Sequence, residues 1–219
     1  MKKKLIIALA LLLLLSTYNI QENFNLNVKF NIKEIEINDN YIEDEIEIKR
    51  KLSFLYKTNF LFLNKNRIKT KLKEFEFIDS FEVKTVYPNK IIIKITEKKP
   101  IAVIQNKTEK KYFTSNGETI NYLNLKEFEK LPMVFGDKKS FEQFYNELKL
   151  KNFPINEIKT FYLFESNRWD LITKKNQIIK LPKNNYFESL ENFKKLKDQA
   201  SFEKYKTFDY RINNQLILK

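Results

Sequence analysis

The period of the apolar positions changes several times along this chain, and each change marks an element. Leu5 to Leu15 is almost wholly Leu, Ile and Ala, with no polar face. Further on, Phe30 and Ile32 share one phase of a strand and Ile35 and Ile37 the other, which a single strand with a bulge near Lys33 reconciles. Asn38-Asp39-Asn40 reads as a turn and a helix start. Ile42, Ile46, Ile48, Leu52 and Leu55 then fit one amphipathic helix over Ile42–Leu55, with Asp44 and Glu45 in its first turn and Lys49 to Lys51 later, as the helix dipole favours. Phe60 to Leu63 reads as a short extended plug, and Asn64 as the N-cap of a second helix whose apolar face is Ile68, Leu72 and Phe75. Phe81, Val83 and Thr85 alternate with Glu82 and Lys84, a half-buried strand. After the turn Tyr87-Pro88-Asn89-Lys90, a partner strand puts Ile91, Ile93 and Ile95 on one face. The order strand, helix, helix, strand, strand describes a small two-layer domain.

The second half has a different texture. Strands are predicted at Ile101–Ile104, Lys111–Phe113, Leu131–Phe135, Ile158–Phe164, Trp169–Thr173 and Gln177–Leu181. Thr114 to Gly117 is a turn in which Gly117 supplies positive φ. Phe141, Phe144, Tyr145 and Leu148 mark one helix, started by Ser140 or Asp137, and Tyr186, Leu190, Phe193 and Leu196 mark another. The chain closes with Lys206–Ile212, the turn pair Asn213-Asn214, and Gln215–Leu218, a hairpin signal. The fold class is therefore α+β, with a mostly antiparallel second domain on which two or more helices lie. Only Lys98 and Lys99 separate Glu97 from Pro100, too short a join for a loose linker, so the expectation is two domains held at a nearly fixed angle and a stretch that acts as a spacer.

Composition narrows the chemistry. The chain of 219 residues has no Cys, no His and only two Gly, which excludes thiolate catalysis, Cys or His metal sites, His triads and Gly-rich phosphate loops. The formal charge of +13 fits an AT-rich Lys/Ile/Asn vocabulary spread along the chain, with no basic stripe on a recognisable nucleic-acid module. Asp44/Glu45 and Glu74/Glu76 read as solvated helix faces, Asn38–Asn40 as a turn rather than a calcium loop, and Trp169 as a core residue. No catalytic residue, cofactor or metal is predicted.

The N-terminus gives an address. Met1-Lys2-Lys3-Lys4 ahead of the apolar run, with Leu5, Leu11 and Leu15 along it, keeps the lysines cytoplasmic and exports the rest. A cleaved signal peptide and an uncleaved signal-anchor both fit. The absence of a small-residue cleavage site near Ser16-Thr17-Tyr18 favours the anchor, although Leu5 to Ile20 as a helix covers only about 24 Å. The expected layout is residues 1–20 stub and anchor, 21–29 linker, 30–98 first domain and 99–219 second domain.

The last predicted strand ends at a sheet edge, which a partner strand could extend or which Lys219 and the Asn residues could blunt. The residues alone leave both readings open.

The order of these pieces resembles the bacterial FtsQ/DivIB division family. The similarity lies in Asn59-Phe60-Leu61-Phe62, in Phe77-Ile78-Asp79-Ser80-Phe81-Glu82-Val83, and in Tyr87-Pro88-Asn89-Lys90-Ile91 with Glu97-Lys98-Lys99-Pro100-Ile101-Ala102. It continues through Leu131-Pro132 with Gly136, Arg168-Trp169-Asp170-Leu171 with Ile179-Lys180-Leu181-Pro182, and Asp209-Tyr210-Arg211. The resemblance implies a POTRA domain followed by a β-domain, and a non-enzymatic division scaffold. It implies a single-pass inner-membrane protein at the septum, with the N-terminus cytoplasmic and the bulk periplasmic. It also implies that FtsB, in a complex with FtsL, adds a strand at the C-terminal edge. The residues carried over are Arg168, Arg211, Ile212, Asn213, Asn214, Gln215, Leu216, Ile217 and Leu218, with Ile212 standing where the family usually has an aromatic. The alternative function is a periplasmic chaperone or outer-membrane assembly factor that uses POTRA edges for client strands.

Overall fold

The computed structural model describes residues 2–17, 30–106, 109–212 and 215–219. Helix α1 spans Lys2–Thr17. Leu5, Leu11 and Leu15 are exposed on it, as are the other leucines between them. No helix among the described residues is long and apolar enough to cross a membrane. The expected anchor runs on to Ile20, and residues 18–20, like the expected linker 21–29, lie outside the described residues. The chain divides into two compact units, residues 1–74 with 80–95, and residues 75–79 with 96–219.

In the first unit, β1 (Glu34–Asn38) pairs in parallel with β3 (Lys90–Glu97), and β2 (Ile78–Val86) flanks β3 on its other side. Ile35 and Ile37 of β1 and Ile91, Ile93 and Ile95 of β3 are buried, so period-two alternation faces one core. The phase change falls near Lys33 as expected, but residues 30–32 and β1 are not one bulged strand: residues 30–32 pair with Thr58 to Phe60, and at the switch Lys33 and Glu34 both donate backbone N–H to Asn89 O, at 2.8 and 3.2 Å. Helix α2 is shorter than predicted, Glu45–Lys51, and Asp44 caps it by accepting from Ile46 N. A 3-10 turn, Ser53–Lys57, replaces its second half. The true buried stripe is Ile48, Leu52 and Leu55, while Ile46 is 77% exposed. Phe60–Phe62 is a 3-10 turn rather than an extended plug: only Phe60 is buried, because Asn59 takes Leu61 N and closes the backbone on itself. Asn64 caps α3 (Lys65–Leu72) by accepting from Asn66 N and Arg67 N, as predicted.

The second unit is built on a nine-stranded sheet. Its strands are β4 (Pro100–Gln105), β5 (Lys110–Thr114), β6 (Thr119–Asn121), β7 (Met133–Phe135), β8 (Ile158–Leu163), β9 (Trp169–Thr173), β10 (Ile178–Lys180), β11 (Thr207–Asp209) and β12 (Ile217–Leu218). Their order is β12-β11-β10-β9-β8-β7-β4-β5-β6. The pairs β4/β7, β7/β8 and β10/β11 are parallel and the other neighbours antiparallel. Two of the parallel pairs follow from the helices, because a parallel neighbour needs a crossover. Helix α4 (Lys138–Leu150) links β7 to β8, and α5 (Tyr186–Leu196) links β10 to β11. Asp137, the second of the two caps considered, starts α4 by accepting from Ser140 N.

Register sets the core. Ile104, Val134, Phe161, Leu171, Ile179, Phe208 and Leu218 are successive cross-strand neighbours. Both helices pack on that face, with Phe141 5.3 Å from Phe161 and Phe193 4.9 Å from Phe208 between ring centroids. Trp169 joins it, stacked on Phe144 at 4.9 Å. Gly136 is small for the same packing reason. A Cβ there would stand 2.9 Å from Leu163 Cβ and 3.3 Å from the Trp169 ring.

Candidate functional site

The adjacent row of side chains, one residue along each strand, faces away from both helices. It runs Gln105, Phe135, Tyr162, Asp170, Lys180, Asp209 and Ile217 from β4 to β12. Phe135 and Tyr162 stack at 4.6 Å, with their planes 6° apart. Beyond them the row becomes charged, and it brings together the two arginines singled out from the sequence. Arg168 Nε lies 3.3 Å from Asp170 Oδ1, and its guanidinium lies 4.5 Å over the Phe164 ring. That placement is local: Phe164 N bonds Arg168 O at 2.9 Å, and Asn167 takes the positive φ that closes the turn. Arg211 grips Asp209, with Nε 2.8 Å from Oδ1 and a terminal nitrogen 2.6 Å from Oδ2.

The two aspartates are buried, Asp170 at 7% and Asp209 at 5% exposure, yet their electrostatics differ. The Arg211 hydrogen bond holds the Asp209 carboxyl below its usual range. Burial pushes Asp170 up, opposed by Arg168, Lys180 and Arg211. Asp170, Lys180 and Asp209 enter the sequence reading only within the family-like motifs and not as site residues. The available clue was a lone carboxylate inside each of the apolar runs Trp169–Thr173 and Thr207–Tyr210.

Strand β12 ends the sheet. Lys219 and Thr207 exchange both backbone bonds, at 3.1 and 2.9 Å. Antiparallel pairing alternates, so the N–H and C=O of Leu218 point away from β11. Leu216 precedes β12 and stands outside the ladder. Leu216 and Leu218 turn their side chains to the core, while Ile217 is 38% exposed on the charged face. Among the described residues no strand pairs with this outer side.

The hairpin is shorter than predicted. Asp209 Oδ1 accepts from Arg211 N, which draws the backbone out of the ladder after β11, and Gln215 N bonds Ile212 O at 3.2 Å to close the turn. Asn213 and Asn214 lie outside the described residues. Ile212, Gln215, Leu216 and Tyr210 line one side of a groove of about 430 Å³, and Asn185, Glu188 and Asn192 of α5 and its cap line the other. Tyr210 is fixed there by its hydroxyl, 3.0 Å from Asn192 Oδ1.

Comparison with known proteins gives two successive family matches: "POTRA domain, FtsQ-type" over residues 30–98, and "Cell division protein FtsQ/DivIB, C-terminal" over residues 102–211. The cell division protein FtsQ of Rickettsia typhi is 27% identical over 194 residues, covering 87% of this chain and 73% of that protein. That of Agrobacterium fabrum is 22% identical over 164 residues, covering 74% of this chain. The match spans about half (52%) of the Agrobacterium protein. With a POTRA match leading directly into a C-terminal match that takes in the sheet from β4 to β11 and stops before β12, this chain belongs to the FtsQ/DivIB family of cell division proteins.

Proposed function

We propose that the chain is a non-catalytic division scaffold of the inner membrane that holds FtsB, in a complex with FtsL, by accepting a strand at β12. The observation that carries the reading is the open outer side of β12, with the Leu218 backbone groups aimed outward and the Arg211–Asp209 pair on the neighbouring strand, opposite Ile217. Backbone pairing supplies affinity in strand addition, and flanking charges choose the partner. Arg168 and Arg211 fit acidic partner residues on the face that Ile217 shares, and the groove beside Ile212 and Leu216 fits an apolar partner side chain. Helix α1 supports the address: a helix apolar on all sides has no face suited to water. On this reading Leu5, Leu11 and Leu15 lie in the bilayer, with the lysines of residues 2–4 on the cytoplasmic side.

Leu218→Pro tests the reading by removing an N–H that β11 does not use, and Leu218→Ala, which trims the same core-facing side chain but keeps that N–H, is its control. Binding of the full-length protein in detergent to the FtsB–FtsL complex is expected to weaken at least about tenfold, the equivalent of about 1.4 kcal/mol. Binding equal to the unmodified protein overturns strand addition at this edge. Arg211→Gln is the companion variant. Arg211→Glu would set a second carboxylate against Asp209 and confuse binding with stability.

A further inference from the structure

Outside the C-terminal edge, the least explained surface lies on the first unit. Leu61 and Phe62 project from the 3-10 turn at 66% and 79% exposure, although they sit in an apolar run that would ordinarily be core. Directly after them, Lys65, Lys69 and Lys73 follow one another at i, i+4 along the outside of α3. All three are exposed, and none takes part in an ion pair among the described residues. From Leu52 to Lys73 the sequence contains no acidic residue. The turn also marks where the chain enters the unit. Phe60 N bonds Phe30 O at 2.8 Å, and Asn59 bridges Asn31. Residues 18–29 join this point to α1, and a chain of that length reaches at most about 40 Å.

We propose that Leu61, Phe62 and the Lys65–Lys69–Lys73 stripe dock on the surface of an anionic phospholipid bilayer. Apolar side chains that enter the interface beside lysines that meet anionic headgroups make the usual pattern of peripheral membrane attachment. The charge of the stripe and the short tether argue for a lipid surface as the occupant. The inference rests on the membrane-anchored reading of α1 for the closeness of that surface. Its effect would be to hold the first unit down at the bilayer.

The chain has no native cysteine, so single labels can be placed cleanly. The full-length protein is reconstituted into vesicles of phosphatidylcholine with or without phosphatidylglycerol. A polarity-sensitive fluorophore is attached at Leu61→Cys, Phe62→Cys, Leu11→Cys or, as an exposed control, Leu150→Cys, and quenching by brominated lipid is read. The expected result is quenching at positions 61 and 62 well above that at 150, stronger with phosphatidylglycerol and relieved by salt. Lys69→Gln and Lys73→Gln should each lower the docked-to-free ratio about fivefold. Labels at 61 and 62 quenched no more than that at 150 in either vesicle overturn the docking and leave the surface to an acidic protein. The Leu11 label separates the two readings. Quenching at 11 without 61 and 62 refutes only the docking. Quenching at 61 and 62 without 11 supports the docking and refutes the anchor.

Discussion

Asp170 and Asp209 flank Lys180 in one row of the sheet, and they are expected to titrate in opposite directions from an ordinary aspartate. For Asp209 the native value is depressed, so its ion pair contributes stability above the ordinary Asp value of about 3.9 and that contribution is lost as pH falls through the native value. For Asp170 the native value is raised, so stability falls as pH climbs from the ordinary value through the native one. Asp209→Asn should therefore destabilise at pH 7 by about 1–2 kcal/mol, discounted for the exposed guanidinium, and by less at pH 3, below the ordinary Asp value. Asp170→Asn should be neutral or stabilising at pH 7. Urea unfolding of both variants at the two pH values checks the signs. Gly136→Ala belongs to the same scale. Its Cβ would meet the Cβ of Leu163 rather than a flexible side-chain end, so overpacking should cost about 1–3 kcal/mol in the same assay.

At the scale of elements, Phe161 is the centre of the second unit: it lies in the inner row, touches the rings of Phe141 and Phe144, and is fully buried. Phe161→Ala should lower stability by about 3–5 kcal/mol, measured by urea unfolding. The elements that the sequence predicts well are those in which local pattern and tertiary environment agree. Ile91, Ile93 and Ile95 alternate because one face of β3 is buried, and Trp169–Thr173 is strand from end to end. The failures have local causes. Ile46 fits the periodic stripe but points to water, because α2 gives way to a 3-10 turn that lets Leu52 and Leu55 complete the core. The Phe60 plug curls because Asn59 offers its side chain to Leu61 N. The C-terminal hairpin is cut short by the Asp209–Arg211 contact, a side-chain event that no backbone propensity reports. The candidate edge strand was legible as a short apolar run after a turn signal, whereas the charged row beside it depends on register across several strands.

For the whole molecule, the proposed function has the apolar helix in the membrane and the partner at β12, at opposite ends of the chain order. If α1 is a retained anchor, the protein should stay in the membrane pellet after carbonate extraction and run on gels at its full 26.6 kDa. Release with a mature N-terminus near Asn19 would show cleavage instead. If β12 receives a strand, backbone amide exchange reports it residue by residue. In the free protein the amide of Lys219 is already bonded to Thr207 O, while that of Leu218 points outward. Hydrogen–deuterium exchange of the full-length protein, with and without the FtsB–FtsL complex, should therefore show slowing at Leu218 on binding, with Lys219 slow in both states. Binding that leaves the Leu218 amide exchanging as fast as in the free protein would mean that β12 accepts no strand.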